Sequence, residues 1–176
     1  MFTVEPIGFI KNKRLTTEDD FWGDVISEII IRDEFPEECL NGIETFSHLE
    51  IIFYFHLENN SVNNSVNNSV NNSVNNSVNN SVNNSKLNLS ESHPRENINF
   101  PKVGIFAQRK KARPNLLGTT IVKLIKVEKK ILTVSGLDAI NETPVIDIKP
   151  VMKEFLPKEN IIQPEWASEL MKDYWK

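Results

Sequence analysis

The chain has 176 residues, a formal net charge of −4 and a pI near 5.5. That balance excludes a uniformly basic nucleic-acid-binding surface and leaves room only for a local basic patch. A single cysteine, Cys39, excludes an internal disulfide, and no Cys- or His-rich cluster with zinc spacing is present.

Phe2 to Lys11 alternates and predicts a first strand, followed by a polar, acidic loop from Leu15 to Gly23 that carries the aromatic pair Phe21 and Trp22. The Met1–Pro6 start does not have the pattern of a signal peptide, and no apolar run reaches membrane-spanning length, so the cytoplasm is the expected compartment. Val25 to Arg32 alternates and predicts a second strand. Glu34 to Asn41 suits a short helix closed by Gly42, with Cys39 expected as a partly buried small apolar residue. Glu50 to His56 is a continuous apolar and aromatic run whose length favours a buried strand over a helix.

From Asn59 to Ser85 the chain is six copies of Asn-Asn-Ser-Val followed by Asn83, Asn84 and Ser85. Asn and Ser compete with the backbone for turns, and one Val in four cannot build a core, so this segment is expected to be disordered or loosely extended. His56 and Lys86 at its ends are then expected near each other on the surface. About 150 residues remain, enough to bury a sizeable interior.

Beyond the repeat, Lys102 to Gln108 predicts a short strand. Thr119 to Glu128 and Ile131 to Gly136 predict a hairpin turning at Lys129-Lys130, and Pro144 to Lys149 alternates as a further strand. Pro164 to Lys176 carries Trp166, Leu170 and Met171 or Tyr174 at helical spacing. Seven or so short strands with few helices predict a mainly β fold, a small antiparallel barrel over residues 1–156 interrupted by 59–85, with a helical tail over 157–176.

Three segments are too specific in composition for ordinary connections. In Gly104 to Gly118, four cations (Arg109, Lys110, Lys111 and Arg113) fall within five residues, followed by Pro114 and Asn115. A phosphate or other anion is the obvious partner, and a solvated hairpin tip is the alternative. In Ser135 to Pro144, Asp138 follows a glycine at the end of a strand. It suits hydrogen bonds from a ribose or an amino group, or equally an Asx-stabilised turn. In Pro144 to Pro150, Asp147 and Lys149 lie two apart on one strand face, expected as the barrel interior. A salt bridge ordering the barrel end is as good a reading of that pair as a chemical role.

Read in order, Gly104-Ile-Phe-Ala-Gln-Arg109, Arg113-Pro-Asn-x-x-Gly118, Val122-x-Leu124, Gly136-Leu-Asp138 and Thr143-Pro-Val-x-Asp-Ile-Lys-Pro150 resemble the TrmO or TsaA-like family. Pro6-Ile-Gly8, Phe46-Ser-His-Leu49, Phe53-x-Phe-His56 and His93-Pro-Arg95 fit the same pattern upstream. The resemblance implies a small β-barrel that binds S-adenosylmethionine outside the dinucleotide-type fold. It also implies a homodimer that methylates N6 of threonylcarbamoyladenosine at position 37 of tRNA, in the short form without the C-terminal domain. It assigns cofactor contacts to Asp19, Asp20 and Phe21, to His56 and Leu57, to Arg109, to Thr119, and to Asp138, Ala139, Ile140 and Asn141. For the tRNA side the candidates are His93, Arg95, Lys110, Lys111, Arg113, Asn115 and Lys149, with no catalytic base assigned and no metal expected.

Three departures stand out. Leu116 replaces a proline of the family pattern, Asn141-Glu142 replaces Asp-Gly, and Val151 follows Pro150 in place of tyrosine. A non-catalytic S-adenosylmethionine- or RNA-binding barrel is the runner-up, and a methyltransferase for another small substrate is a third reading.

Overall fold

The computed structural model describes residues 3–57 and 90–176; the Asn-Asn-Ser-Val repeat and Phe2 lie outside them. Two compact units form. One is built from the described residues within Met1–Tyr54 and Gly118–Lys176, the other from those within Phe55–Leu117.

The first unit is the expected antiparallel barrel. Its strands are β1 (Gly8–Lys11), β2 (Ile26–Ile31), β3 (His48–Tyr54), β4 (Leu117–Glu128), β5 (Ile131–Ser135) and β6 (Pro144–Pro150). They close in the order β1-β2-β5-β4-β3-β6. The period of two decides what fills it. Ser27, Ile29 and Ile31 point inward from β2, Leu49, Ile51 and Phe53 from β3, and Leu132 and Val134 from β5, all buried. Closure leaves no free sheet edge, so every strand has two neighbours.

The differences from expectation have local causes. β1 begins at Gly8 because Pro6 has no N–H to donate and its carbonyl takes the Arg32 guanidinium at 2.9 Å. Glu34 to Asn41 forms only a 3-10 turn at Glu37–Leu40, closed by Asn41, while Gly42 opens the next turn at Ile43–Thr45. Cys39 is exposed there rather than partly buried, since the apolar contact of that turn is made by Leu40. The predicted tail helix is shorter: α1 spans Glu165–Leu170, and 157–164 is not helical. Pro157 and Pro164 push the residues before them into extended backbone.

The pair on β6 does not face the interior. β3 and β6 slip register between Ile52 and Phe53, so Asp147 lies opposite Ile52 and Val145 opposite Phe53, with Ile146 left as the extra residue. The bulge resets the alternation. Val145 and Ile148 then stand opposite the buried Phe53 and Ile51, and Asp147 and Lys149 turn outward. There they form an exposed ion pair, and the carboxylate beside it holds the Lys149 ammonium above its usual pKa.

In the second unit, Lys102 to Gln108 is not a strand. Ser92 and Val103 form an isolated bridge, and Ile105–Ala107 is a 3-10 turn. The buried Gln108 side chain explains the stop: its Nε2 donates to the carbonyls of Val103 (2.8 Å) and Ser92 (3.3 Å). Among the described residues no helix is long and apolar enough to cross a membrane.

Candidate functional site

On the barrel unit, four of the expected cofactor residues, Asp138 to Asn141, form the turn after β5. Gly136 leaves the strand with φ of 76°, a conformation that suits glycine, and directs the chain through the buried Leu137 to Asp138. Asp138 is half-buried. Its Oδ1 accepts the Thr120 hydroxyl and its Oδ2 accepts the Tyr174 hydroxyl. Two hydroxyls, one on each oxygen, fix the plane of this carboxylate.

Ala139 and Ile140 follow with buried side chains, so their contribution to any ligand is through the backbone. The turn is knitted to β1 through Asn12. Its Nδ2 donates to the Ala139 carbonyl at 2.8 Å and to Ser27 Oγ at 2.9 Å, and its backbone N–H reaches Asn141 Oδ1 at 3.1 Å. The amide at Asn141 thus supplies the acceptor that the family's carboxylate would supply. Glu142 occupies the family's glycine position with φ of 64° and donates its N–H to the Ile10 carbonyl.

The acidic loop is ordered by Arg14. Its guanidinium donates to the carbonyls of Asp20 (2.6 Å) and Phe21 (2.8 Å), pairs with Glu18, and lies 4.3 Å from the centre of the Trp22 ring. Asp19 and Phe21 are exposed and Asp20 is half-buried. Phe21 has φ of 64°. The backbone N–H groups of Phe21 and Trp22 donate to the carbonyls of Asp173 and Tyr174. This loop and the Asp138 turn are therefore joined by one segment, Asp173–Trp175.

Thr119 points the other way from its neighbour. Its hydroxyl donates to Glu50 Oε1 at 2.9 Å, on the face that also carries Lys149, while Thr120 is buried and serves Asp138. Thr120 and Tyr174 were not among the residues expected from sequence. Thr120 faces inward with Val122, and nothing local links it or Tyr174 to Asp138.

On the second unit, the basic run is part of a braced loop rather than a hairpin tip. Arg113 donates to the carbonyls of Ile105 and Gln108, so its guanidinium frames the loop. Lys110 Nζ donates to Ser92 Oγ at 3.2 Å. Arg109 is exposed, Lys111 half-buried, and Asn115 exposed in the turn with Pro114. Leu116 has φ of 52°, which proline cannot adopt, so the turn at the family's proline position is built differently here.

His56 and Leu57 are helical, the first half-buried and the second exposed. His93 Nδ1 lies 2.6 Å from the Phe100 carbonyl. A carbonyl only accepts, so Nδ1 carries a proton and donates to it. Arg95 and Glu96 follow, exposed, with φ of 48° and 58°. Two consecutive non-glycine residues in this region indicate a turn held by its surroundings.

A groove of about 560 Å³ beside β1 and β2 is lined by Phe9, Ile30, Arg32 and Glu142 among others, and by none of the expected site residues. Its Arg32 is matched locally by Glu34. The Asp138 turn is the better candidate: a carboxylate held by two hydroxyls, with ordered backbone beside it, suits a ligand that donates from hydroxyls or amino groups.

Comparison with known proteins identifies the family. The profile of the tRNA-methyltransferase O N-terminal domain family matches residues 11–155. A human tRNA (adenine(37)-N6)-methyltransferase is 33% identical over 129 residues, covering 73% of this chain and 23% of its own length. The chain thus spans about a quarter of that relative. A probable S-adenosyl-L-methionine-binding protein of Methanocaldococcus jannaschii is 30% identical over 150 residues, covering 85% of this chain and 91% of its own. Two crystal structures of TrmO from Pseudomonas aeruginosa align with TM-scores of 0.65 and 0.62 at 22% and 23% identity. They cover 94% and 91% of this chain and 62% and 61% of theirs, a likeness of fold. The chain belongs to the tRNA-methyltransferase O N-terminal domain family.

Proposed function

We propose that the protein is an S-adenosylmethionine-dependent tRNA methyltransferase acting on N6 of threonylcarbamoyladenosine at position 37, beside the anticodon. The observation that carries the reading is the Asp138 carboxylate, fixed by Thr120 and Tyr174 at the turn where the family pattern has its Gly-Leu-Asp motif. Names of relatives over most of this chain, an adenine-37 methyltransferase and an S-adenosylmethionine-binding protein, support it.

When bound, the cofactor supplies a methyl group activated by a sulfonium. The chain's own residues bind and orient. On the barrel unit, Asp138 accepts from ribose hydroxyls or an amino group, and the backbone of Ala139, Ile140 and Asn141 flanks it. On the second unit, Arg109, Lys110 and Lys111 meet tRNA phosphates or the threonyl carboxylate, which a guanidinium grips with two parallel bonds. Arg113 serves this role indirectly, by holding the loop. His93, its Nδ1 committed to the Phe100 carbonyl, is a further candidate for substrate contact on that unit. The anticodon loop is single-stranded, so presenting the base needs little unpairing. A cytoplasmic homodimer is the expected working form.

The test is transfer of labelled methyl from S-adenosylmethionine to total tRNA. Incorporation into tRNA carrying the threonylcarbamoyl group, and not into tRNA lacking it, is expected. Cofactor binding without transfer to any tRNA would favour the non-catalytic reading.

A further inference from the structure

Tyr174 lies outside the residues matched by the family profile, which ends at 155, yet it donates to the Asp138 carboxylate. We infer that Tyr174 is a positioning residue for cofactor binding, acting through Asp138 as the partner of Thr120. The inference rests on the reading of Asp138 as a cofactor acceptor.

The segment that carries Tyr174 is held on both sides. The Phe21 and Trp22 N–H groups donate to the Asp173 and Tyr174 carbonyls at 3.2 and 2.8 Å. The Trp175 carbonyl approaches Gly23 so closely that a methyl there would overlap it. The Trp175 ring stands edge-on to Tyr174, with centroids 4.9 Å apart and planes at 86°. It also packs against Gly136, where a Cβ would lie 3.8 Å from it. Tyr174 thus reaches Asp138 from a backbone anchored to the acidic loop, with its neighbour seated on the glycine that opens the Asp138 turn.

The physical consequence is preorganisation. The terminal torsion of an aspartate is broad, and a carboxylate held by no donor samples a wide arc. Two hydroxyls from different segments, one on each oxygen, restrict that arc. The acceptor positions facing a ligand then need not be ordered at the moment of binding. A phenol suits the task because its ring is fixed by packing while its hydroxyl donates.

The test is calorimetric titration of S-adenosylmethionine into the full chain and into Tyr174→Phe, Asp138→Asn and the double variant, each with a thermal melt. Tyr174→Phe keeps the ring and removes only the donor. Loss of one hydrogen bond to a charged group predicts a Kd about tenfold weaker. In the Asp138→Asn background the same change should have little further effect, because the two residues act as one unit. Unchanged affinity in Tyr174→Phe overturns the inference, as does an equal loss in the Asp138→Asn background, which would mark a role independent of Asp138. Tighter binding overturns it too, since the hydroxyl would then compete with the cofactor. If the unaltered chain does not bind S-adenosylmethionine, the cofactor reading itself fails and the inference with it.

Discussion

Thr120 and Asp138 meet across the barrel end, the hydroxyl of a buried strand residue donating to the carboxylate of a turn 18 residues later. Thr120 is 6% exposed, so its hydroxyl could not reach water as an alternative. Thr120→Val keeps the shape beside Val122 and removes the donor. We expect a loss of about 1–2 kcal/mol in denaturant unfolding, below the value for a fully buried charge because Asp138 is half-exposed. Thr120→Ser should retain most of that stability; an equal loss in both would show that the methyl group matters and the hydroxyl does not.

Glu142 holds a left-handed conformation at the position where the family pattern has glycine. Relief of that strain, less the extra chain entropy of glycine, predicts that Glu142→Gly stabilises the protein by up to about 1 kcal/mol. A differential melt should show Tm rising by about 2–4 °C. A fall in Tm would mean that the Glu142 side chain contributes more than its backbone costs.

Lys110 and Lys111 are expected to meet phosphates. Replacing both by glutamine should weaken tRNA binding and make the plot of log K against log salt shallower by about 1.4, from about 0.7 per single-strand phosphate contact. Binding titrations over a salt series check this. An unchanged slope would assign the two lysines to the loop alone.

The Lys176 ammonium donates to Asp173 at 2.6 Å, and that hydrogen bond holds the Asp173 carboxyl below its usual value of 3.8. A carboxyl with a lowered folded pKa contributes stability above its unfolded value and loses it as pH falls through the folded one. The pair is exposed, so the contribution is small. The Tm difference between the unaltered chain and Lys176→Met, measured over a pH series, should be present at neutral pH and vanish below pH 3.8. A difference that grows on acidification would contradict the assignment.

Phe53 is 1% exposed and lies opposite Val145 where the register slips. Phe53→Ala should cost about 3–5 kcal/mol, since a closed barrel cannot collapse around the space left. Equilibrium unfolding reads this directly.

The barrel was legible because Ile29 and Ile31, or Leu132 and Val134, alternate with outward residues, and a period of two is a local property. The Asp138 turn was legible because Gly136 marks a strand end. Four features were not. The choice between Thr119 and Thr120 depends on which face of β4 is inward, which neighbouring strands set. The outward turn of Asp147 and Lys149 follows from a bulge at Ile146 that no residue type announces. Tyr174 is distant in sequence from Asp138, and its helical spacing with Trp166 and Leu170 suggested a helix continuing through it. In fact α1 stops at Leu170, and Tyr174 sits in the turns that follow. On the second unit, the charge of Arg113 was visible, but its use on the carbonyls of Ile105 and Gln108 was not.

Nucleoside mass spectrometry of tRNA digested after incubation with the protein and isotopically labelled S-adenosylmethionine tests the central claim most directly. The account predicts the labelled methyl on N6 of threonylcarbamoyladenosine from position 37, lost in Asp138→Ala. A label on another nucleoside, or none while the cofactor binds, would contradict it.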